Sequence, residues 1–330
     1  SRISLTQRFP VAGRLRLEKA VSQAQLAAAE FEVREAERKL AVDVRVLVVK
    51  LIAMREQHDL RSRQITNLRE LSEFLRSSAE AGEGASTDAS QAELEAQLME
   101  IEKLQIAAEE TSLLSEFRLL LGALPGESLA VEGTLAAPPL AVDGGAAGQR
   151  PDVLAAKSRA DAARFAVQEE KARRAEDIGA GLSFSQERTV DDPNPVQTDR
   201  VLGFRVTVPL PLWNNNAGRI RAASAAAARA EREVEVALAG AKSEIDAAKR
   251  ALDAYLKIFT ELDARALPQA AQLEEQVRLA YLAGQTPLSE VLRSRARHLE
   301  IRRQRHDVLR DYHLARIRCG AGAVPSVTSK

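Results

Sequence analysis

Aromatic side chains are scarce in this chain, 4% of 330 residues against 28% charged, and that balance leaves little with which to fill a thick globular core. The single cysteine, Cys319, excludes a disulfide framework and a thiolate zinc site; the simpler reading is a small residue near the end of the last helix. No apolar run approaches the ~20 residues of a membrane-spanning helix, and no signal peptide stands at Ser1. Neither absence excludes a membrane, because barrel strands are short and only alternately apolar. Lys+Arg and Asp+Glu number 47 each, so no net field draws in nucleic acid. Glycine-rich phosphate loops and nucleophile motifs are missing too; the chain reads as no enzyme, with no cofactor.

Ala, Glu, Arg, Leu and Lys dominate instead, a mixture that at helical spacing reads as long helices or coiled coil. Apolar residues alternate at spacings of four and three along Leu17, Val21, Ala24, Ala28 and Phe31, again along Val44, Leu47, Leu51 and Met54, then at Ile65 and Leu68. This is a coiled-coil-like seam. Between Val11 and Gly82 there is no proline, and roughly 70 residues of helix would span about 105 Å. The small, polar run from Ala81 to Asp88, with Gly82 and Gly84, predicts a turn and a new helix to about Leu121. Residues 122–150, with Pro125, Pro138 and Pro139, read as an irregular connection. Pro151 suits the first position of a helix to about Ala175.

The period then changes. Ile178, Ala180, Leu182 and Phe184 alternate with Gly179, Gly181, Ser183 and Ser185, which predicts a strand to Glu187 with one apolar and one polar face. After a polar loop at 191–195, Leu202, Phe204, Val206 and Val208 alternate with Gly203, Arg205 and Thr207, the second arm of a hairpin. A further strand opens the chain at Ile3, Leu5 and Phe9. From Ala217 a helix is expected to Ala266, interrupted at Pro268 and resumed to Gly284, its alanines between 222 and 230 permitting close helix approach. A turn from Ala283 to Pro287 leads to a last helix ending near Cys319.

The second half lies over the first. Thr6 to Val11 matches Thr207 to Leu212, and Ala12 to Arg16 matches Ala217 to Arg221, with Trp213, Asn214, Asn215 and Asn216 extra in the second copy. The offset is 201 at Pro10 and Pro211, 205 at Gly13 and Gly218, and 202 at Gly82 and Gly284, and Asp88 lies over Glu290. Two rods of such similar length, each introduced by a strand, argue an internal repeat. The division is 1–121 for the first repeat, 122–150 for the connection, 151–319 for the second repeat and 320–330 for a tail. Strands with one apolar face, joined to rods that cannot bury a core alone, suit a lipid-facing barrel continued by a helical tube. Arg8, Glu187 and Arg205 would then face the barrel's water-filled side. Three or so strands cannot close a barrel, so the protomer must oligomerise.

At these residues the chain resembles the TolC-like outer-membrane factor family over essentially its whole length. The carriers are the segment Val206 to Gly218 with its Pro209-Leu210-Pro211-Leu212-Trp213-Asn214, the helix start Arg150-Pro151-Asp152-Val153-Leu154, and Tyr281-Leu282-Ala283-Gly284 followed by Glu290-Val291-Leu292. The proline-rich carrier is closer to the heavy-metal-efflux branch than to the secretion branch. The resemblance implies a mainly α protein with a small β portion, a homotrimer whose protomers each give four strands to a twelve-stranded outer-membrane barrel above a periplasmic helical tunnel. It also implies a periplasmic adaptor and an inner-membrane pump as partners, outer-membrane lipid around the barrel, and a duct that performs no chemistry. Family members close the periplasmic tip through an aromatic, an arginine and an aspartate; Tyr281 matches the aromatic and Asp88 the aspartate, but Thr286 stands where arginine would be. Glu290 would contribute to an acidic ring attractive to cations, or else, like Asp88, serve the helix dipole. Against the family pattern, about 50 residues are expected upstream of Ser1.

Two rival readings stay open, a periplasmic adaptor and a coiled-coil scaffold, since both contain long helical hairpins. An adaptor carries one hairpin between β-rich halves, whereas two are expected here. His58, His298, His306 and His313 fall on predicted helices without a paired carboxylate motif, so solvated or seam histidines explain them better than a metal site. The arginines at 293, 295, 297, 302, 303 and 305 are interleaved with Glu290, Glu300 and Asp307 and lack aromatics, which favours a solvated or intersubunit face over nucleic acid. Trp213 would anchor at a membrane interface or cap a helix.

Overall fold

The computed structural model describes residues 2–10, 12–82, 85–124, 127, 129, 131–135, 138, 146–175, 177–189, 197–209 and 215–320. The 191–195 loop, Pro125, Pro139, Trp213 and the 321–330 part of the tail lie outside the described residues. In order the elements are β1 (Arg2–Phe9), α1 (Arg14–Glu80), α2 (Ser86–Leu121), a 3-10 turn (Ala147–Gln149), α3 (Pro151–Ala172), β2 (Ile178–Thr189), β3 (Gln197–Thr207), α4 (Ala217–Glu261), α5 (Leu267–Leu282) and α6 (Leu288–Gly320). The chain divides into two compact units, Ser1–Glu35 with Arg150–Ala241 and Ala36–Gln149 with Lys242–Lys330.

The first unit holds the sheet and the helix starts. Its three strands run antiparallel in the order β1-β2-β3, so the strand that opens the chain pairs with one more than 160 residues later, Phe9 opposite Ile178 and Arg2 opposite Ser185. Helix α3 lies between its neighbours: Arg159 reaches Glu32 of α1 at 2.5 Å and Arg164 reaches Glu231 of α4 at 2.9 Å. Small side chains allow that fit, with Val153, Ala155, Ala156, Ala160 and Ala162 all buried. Pro151 opens α3, where its missing N–H costs nothing. Of the alanines expected to bring helices together between 222 and 230, Ala227 is buried, Ala223 and Ala230 are half-buried, and Ala222, Ala225, Ala226 and Ala228 are exposed within the chain.

The second unit is built from most of α1, α2, the C-terminal part of α4, α5 and α6. Leu47 and Leu51 of α1 close on Phe117 of α2 and on Val131 of the irregular connection. That connection is tied down by polar groups: the Arg55 guanidinium donates to the Val131 carbonyl, and the Leu135 N–H donates to Glu56 Oε1 at 2.9 Å. Elsewhere Ala248 and Leu252 of α4 pack on Tyr312, Ala315 and Cys319 of α6.

One expectation needs correction. The helix does not break at Pro268. Residues Leu262–Ala266 form a turn of π-helix, in which the Leu267 N–H donates to the Leu262 carbonyl five residues back. Pro268 then falls in the first turn of α5, so the widened turn takes up the misfit of a proline that would otherwise clash with the preceding carbonyl.

Candidate functional site: the two-faced sheet and the hairpin tip

Paired residues in an antiparallel ladder point to the same face, and the register therefore sorts the sheet completely. On one face stand the rungs Ile3-Phe184-Leu202, Leu5-Leu182-Phe204 and Phe9-Ile178, with Gln7-Ala180-Val206 between them. These side chains are open to the surroundings: Leu5 is 73% exposed, Leu202 76% and Phe204 72%. A sheet that turned this face to water would leave a large apolar patch uncovered.

The opposite face carries Arg2-Ser185-Val201, Ser4-Ser183-Gly203, Thr6-Gly181-Arg205 and Arg8-Gly179-Thr207. Its glycines make room for neighbouring hydroxyls: a Cβ at Gly203 would meet Ser183 Oγ at 2.7 Å, and one at Gly181 would meet Thr6 Oγ1 at 3.1 Å. Arg8 and Arg205 thus stand on the polar face of the sheet. Glu187 pairs with Asp199 on the same face, while its side chain lies outside the described residues.

Before α1 the backbone turns left-handed at Ala12 and Gly13 (φ 62° and 68°), and before α4 it does so at Asn216 (φ 57°). The two corners differ: Gly13 forms its bend, whereas Gly218 lies inside the first turn of α4. Asparagine tolerates this conformation, and Asn216 is further held by donating its Nδ2 to the carbonyl and carboxylate of Glu170 at 2.8 and 2.7 Å. Arg14 at the start of α1 grips Asp177 just before β2 at 2.9 Å, which ties the first rod to the central strand. Sequence reasoning did not single out Asp177 or Glu170, and it met Asn216 only as an extra residue of the second copy, without the corner role that its left-handed backbone shows.

At the other end of the helices, in the second unit, Gly82 and Gly284 are both left-handed (φ 78° and 72°) and terminate α1 and α5. The Gly284 N–H donates to the Tyr281 carbonyl and the Gln285 N–H to the Ala280 carbonyl, each at 2.9 Å, satisfying carbonyls that the helix leaves open. Asp88 and Glu290 occupy matching places in the first turns of α2 and α6, their N–H groups donating at 3.1 Å to the Ala85 and Pro287 carbonyls. Around these turns Leu68, Leu75, Ala89, Ala92, Leu288 and Val291 form a buried cluster against which Tyr281 packs. Ser72, 1% exposed, donates its hydroxyl to the Ala89 carbonyl and so fixes the close approach of α1 and α2.

The structure brings Tyr281 and Asp88 together. Burial raises the Tyr281 hydroxyl above its ordinary pKa, and the charge and hydrogen bond of Asp88 raise it further, so the phenol stays protonated and donates. Thr286 is half-buried with Oγ1 making no hydrogen bond. Glu290 is not a bare carboxylate, since Arg293 meets it at 2.6 Å.

Several further candidates make contacts on or between helices. Arg303 pairs with Glu300 at 2.8 Å, and Arg305 with Asp263 at 2.6 Å while lying over the Phe259 ring. His298 contacts Glu274 across α5 and α6; His313 meets Tyr312 edge-on; His58 lies 3.7 Å from Asp59. His306 Nδ1 lies 3.4 Å from Glu56 without a hydrogen bond, and its burial lowers the imidazole pKa. Among the described residues no three His, Cys, Asp or Glu side chains are placed to hold a metal, and no helix is long and apolar enough to cross a membrane.

This architecture is that of the TolC-like outer-membrane factors. The crystal structure of the outer membrane protein VceC from Vibrio cholerae matches with a TM-score of 0.79 at 19% identity, over 97% of this chain and 79% of that one. CusC, whose structures concern folding and transmembrane channel formation, matches with 0.81 at 15% identity over 97% and 76%. The open state of the Neisseria gonorrhoeae MtrE outer membrane channel matches with 0.74 at 14% identity over 98% and 79%. No protein-family model and no curated protein sequence matches the chain.

Proposed function

We propose that the chain is the outer-membrane channel subunit of a tripartite efflux system, a passive exit duct that takes its substrates from an inner-membrane pump through a periplasmic adaptor. The observation that carries this reading is the sheet, with one face apolar and open across three strands and the other lined by arginine, serine and threonine. Lipid on one side and water on the other is the setting in which such a sheet is stable. Its free edges, β1 and β3, call for further strands, supplied by further copies of the chain in a homotrimeric barrel. The structural neighbours, outer-membrane channels by description, support the same location and role.

In this duct the helices form the periplasmic tunnel as two repeats, 1–121 and 151–319, joined by 122–150 and followed by the 320–330 tail. Left-handed corners before both long helices, left-handed glycines at both turns, and the matched places of Asp88 and Glu290 support the repeat. Tyr281 and Asp88 would hold the tip closed at rest, with Thr286 in place of a charged partner, and Arg8, Arg205 and Glu187 would line the barrel. On sequence grounds heavy-metal cations are one cargo to test.

Light scattering and negative-stain imaging of the full-length protein in mild detergent test the reading. A trimeric tube with a barrel stub is the expected result. A monomer or dimer soluble without detergent would refute it and return the chain to the adaptor or scaffold class.

A further inference from the structure

We propose that Arg8 and Arg205 form a basic collar at the helix-proximal end of the barrel lumen that selects anions, so that the duct favours anionic cargo over metal cations. The proposal rests on the duct reading above and adds the charge class of what passes.

The sheet places the two arginines on the outer strands, flanking β2. Arg8 stands opposite Gly179 and Arg205 opposite Gly181, on the same polar face and one rung apart, which separates their Cα atoms by about 12 Å. No side chain of the central strand rises between them, because both intervening positions are glycine. The floor is instead covered by short hydroxyls, with Thr6 Oγ1 beside Gly181 and the Thr207 side chain beside Gly179. Arg8 and Arg205 are therefore the long side chains at this end of the face. Both are exposed, and neither has an ion-pair partner among the described residues.

Among the described residues, the carboxylates nearest this end are already engaged. Asp177, just below Gly179, is held by Arg14 at 2.9 Å. Glu18 is met by Arg14 at 3.3 Å, Glu169 by Arg173 at 2.5 Å, and Glu170 by Asn216 at 2.7 Å. Glu187 and Asp199 share the polar face but pair six residues beyond Gly181. Six residues of strand put their Cα positions about 20 Å from that of Gly181, roughly two Debye lengths at physiological salt. Arg2, at that far end, lies opposite Ser185, one rung from the Glu187–Asp199 pair.

Repeated around a closed barrel, the pair becomes a ring of guanidinium groups over a hydroxyl-lined floor, the arrangement that favours anion passage. Small carboxylates, sulfonates and phosphates are the class it fits. A wall potential of about one kT is enough to raise the local anion-to-cation ratio several-fold.

The test is the reversal potential of the full-length protein in neutral planar bilayers under a KCl gradient, measured for the wild type and for Tyr281→Ala, whose tip is weakened. The chloride-to-potassium permeability ratio should exceed about three, fall to about one or below in Arg8→Gln/Arg205→Gln, and reverse in Arg8→Glu/Arg205→Glu. Inorganic tripolyphosphate should block the wild type and not the glutamine variant. Channels that prefer potassium, or a ratio unmoved by the double variant, overturn the collar and leave the duct standing. Failure of both the wild type and Tyr281→Ala to conduct overturns the duct, and the collar with it.

Discussion

Two adjacent residues of β1 separate a lipid-facing sheet from a water-exposed one. Leu5 occupies a rung with Leu182 and Phe204 in the middle of the apolar face, while Ser4 shares the polar face with Ser183 and Gly203. Replacing Leu5 by arginine near the middle of a bilayer costs about 2–4 kcal/mol per copy, or roughly 30- to 700-fold in the folding equilibrium at 1.4 kcal/mol per factor of ten. Were the face in water, Leu5 at 73% exposure would lose little, and the same change would stay within about 0.5 kcal/mol. Ser4→Arg puts the identical side chain one residue away on the polar face beside Ser183, where a polar lumen accepts it at about zero cost. Urea titration of the protein folded into lipid vesicles, followed by tryptophan fluorescence and by gel mobility before and after heating, measures both variants. A midpoint loss confined to Leu5→Arg is expected. Equal losses in both variants, or none in Leu5→Arg, would show that the alternation of faces does not report lipid and water.

At the tip, Tyr281→Phe removes the bond to Asp88 at a cost of about 1 kcal/mol, and Tyr281→Ala adds lost packing for a total of about 2–3 kcal/mol; single-channel conductance should rise in both, and an unchanged value would remove the gate assignment. Gly82→Ala and Gly284→Ala should each cost about 1–2 kcal/mol in chemical denaturation because of their left-handed backbone, although nothing lies within 4 Å of the added Cβ. Gly218→Ala, in a right-handed helix with equally open space, should instead gain about 0.5–1 kcal/mol. His306 titrates below its ordinary 6.5 because burial outweighs the pull of Glu56. The folded state therefore binds fewer protons than the unfolded one just below that value, and stability present above pH 6.5 is lost as pH falls through the folded pKa. His306→Gln should flatten that loss in thermal melts taken between neutral and mildly acid pH.

What could be read from the sequence was local. Period two betrayed the faces of β2 and β3, the absence of proline betrayed α1, and Gly82 and Gly284 betrayed its end and that of α5, since each of these signals acts within a few residues. The pairing of β1 with β2 was not legible, because no local pattern says which distant strand completes a ladder. Pro268 was misread for the opposite reason: a strong local signal for a break was overridden by one widened turn that keeps the helix going. The Tyr281–Asp88 contact came from the family resemblance alone, and its electrostatics required the burial that packing on Leu75 and Leu288 supplies. Ser72, buried where α1 meets α2, carried no sequence signal, since a serine in a helix more often faces solvent.

The surfaces that the single chain leaves exposed are the ones the proposed assembly would cover. The sheet leaves two edges and an apolar face open, and α2 turns Leu94, Leu98, Ile101 and Leu104 outward, each about half exposed or more. The spacing of Leu94, Leu98 and Ile101 is that of a helix seam, so α2 carries a second packing stripe beyond the one that meets α1. Such a chain gains stability from whatever covers these surfaces, and for an obligate assembly that gain depends on protomer concentration. Substitutions on the polar sheet face should act on conduction without moving assembly, and substitutions on the apolar face or the α2 stripe should move assembly first. Leu98→Gln, which keeps side-chain length and helical propensity while removing the apolar contact, should shift the concentration at which the proposed trimer forms and leave the helix content of the monomer unchanged. A loss of monomer helix in that variant would place Leu98 in the fold of the single chain instead.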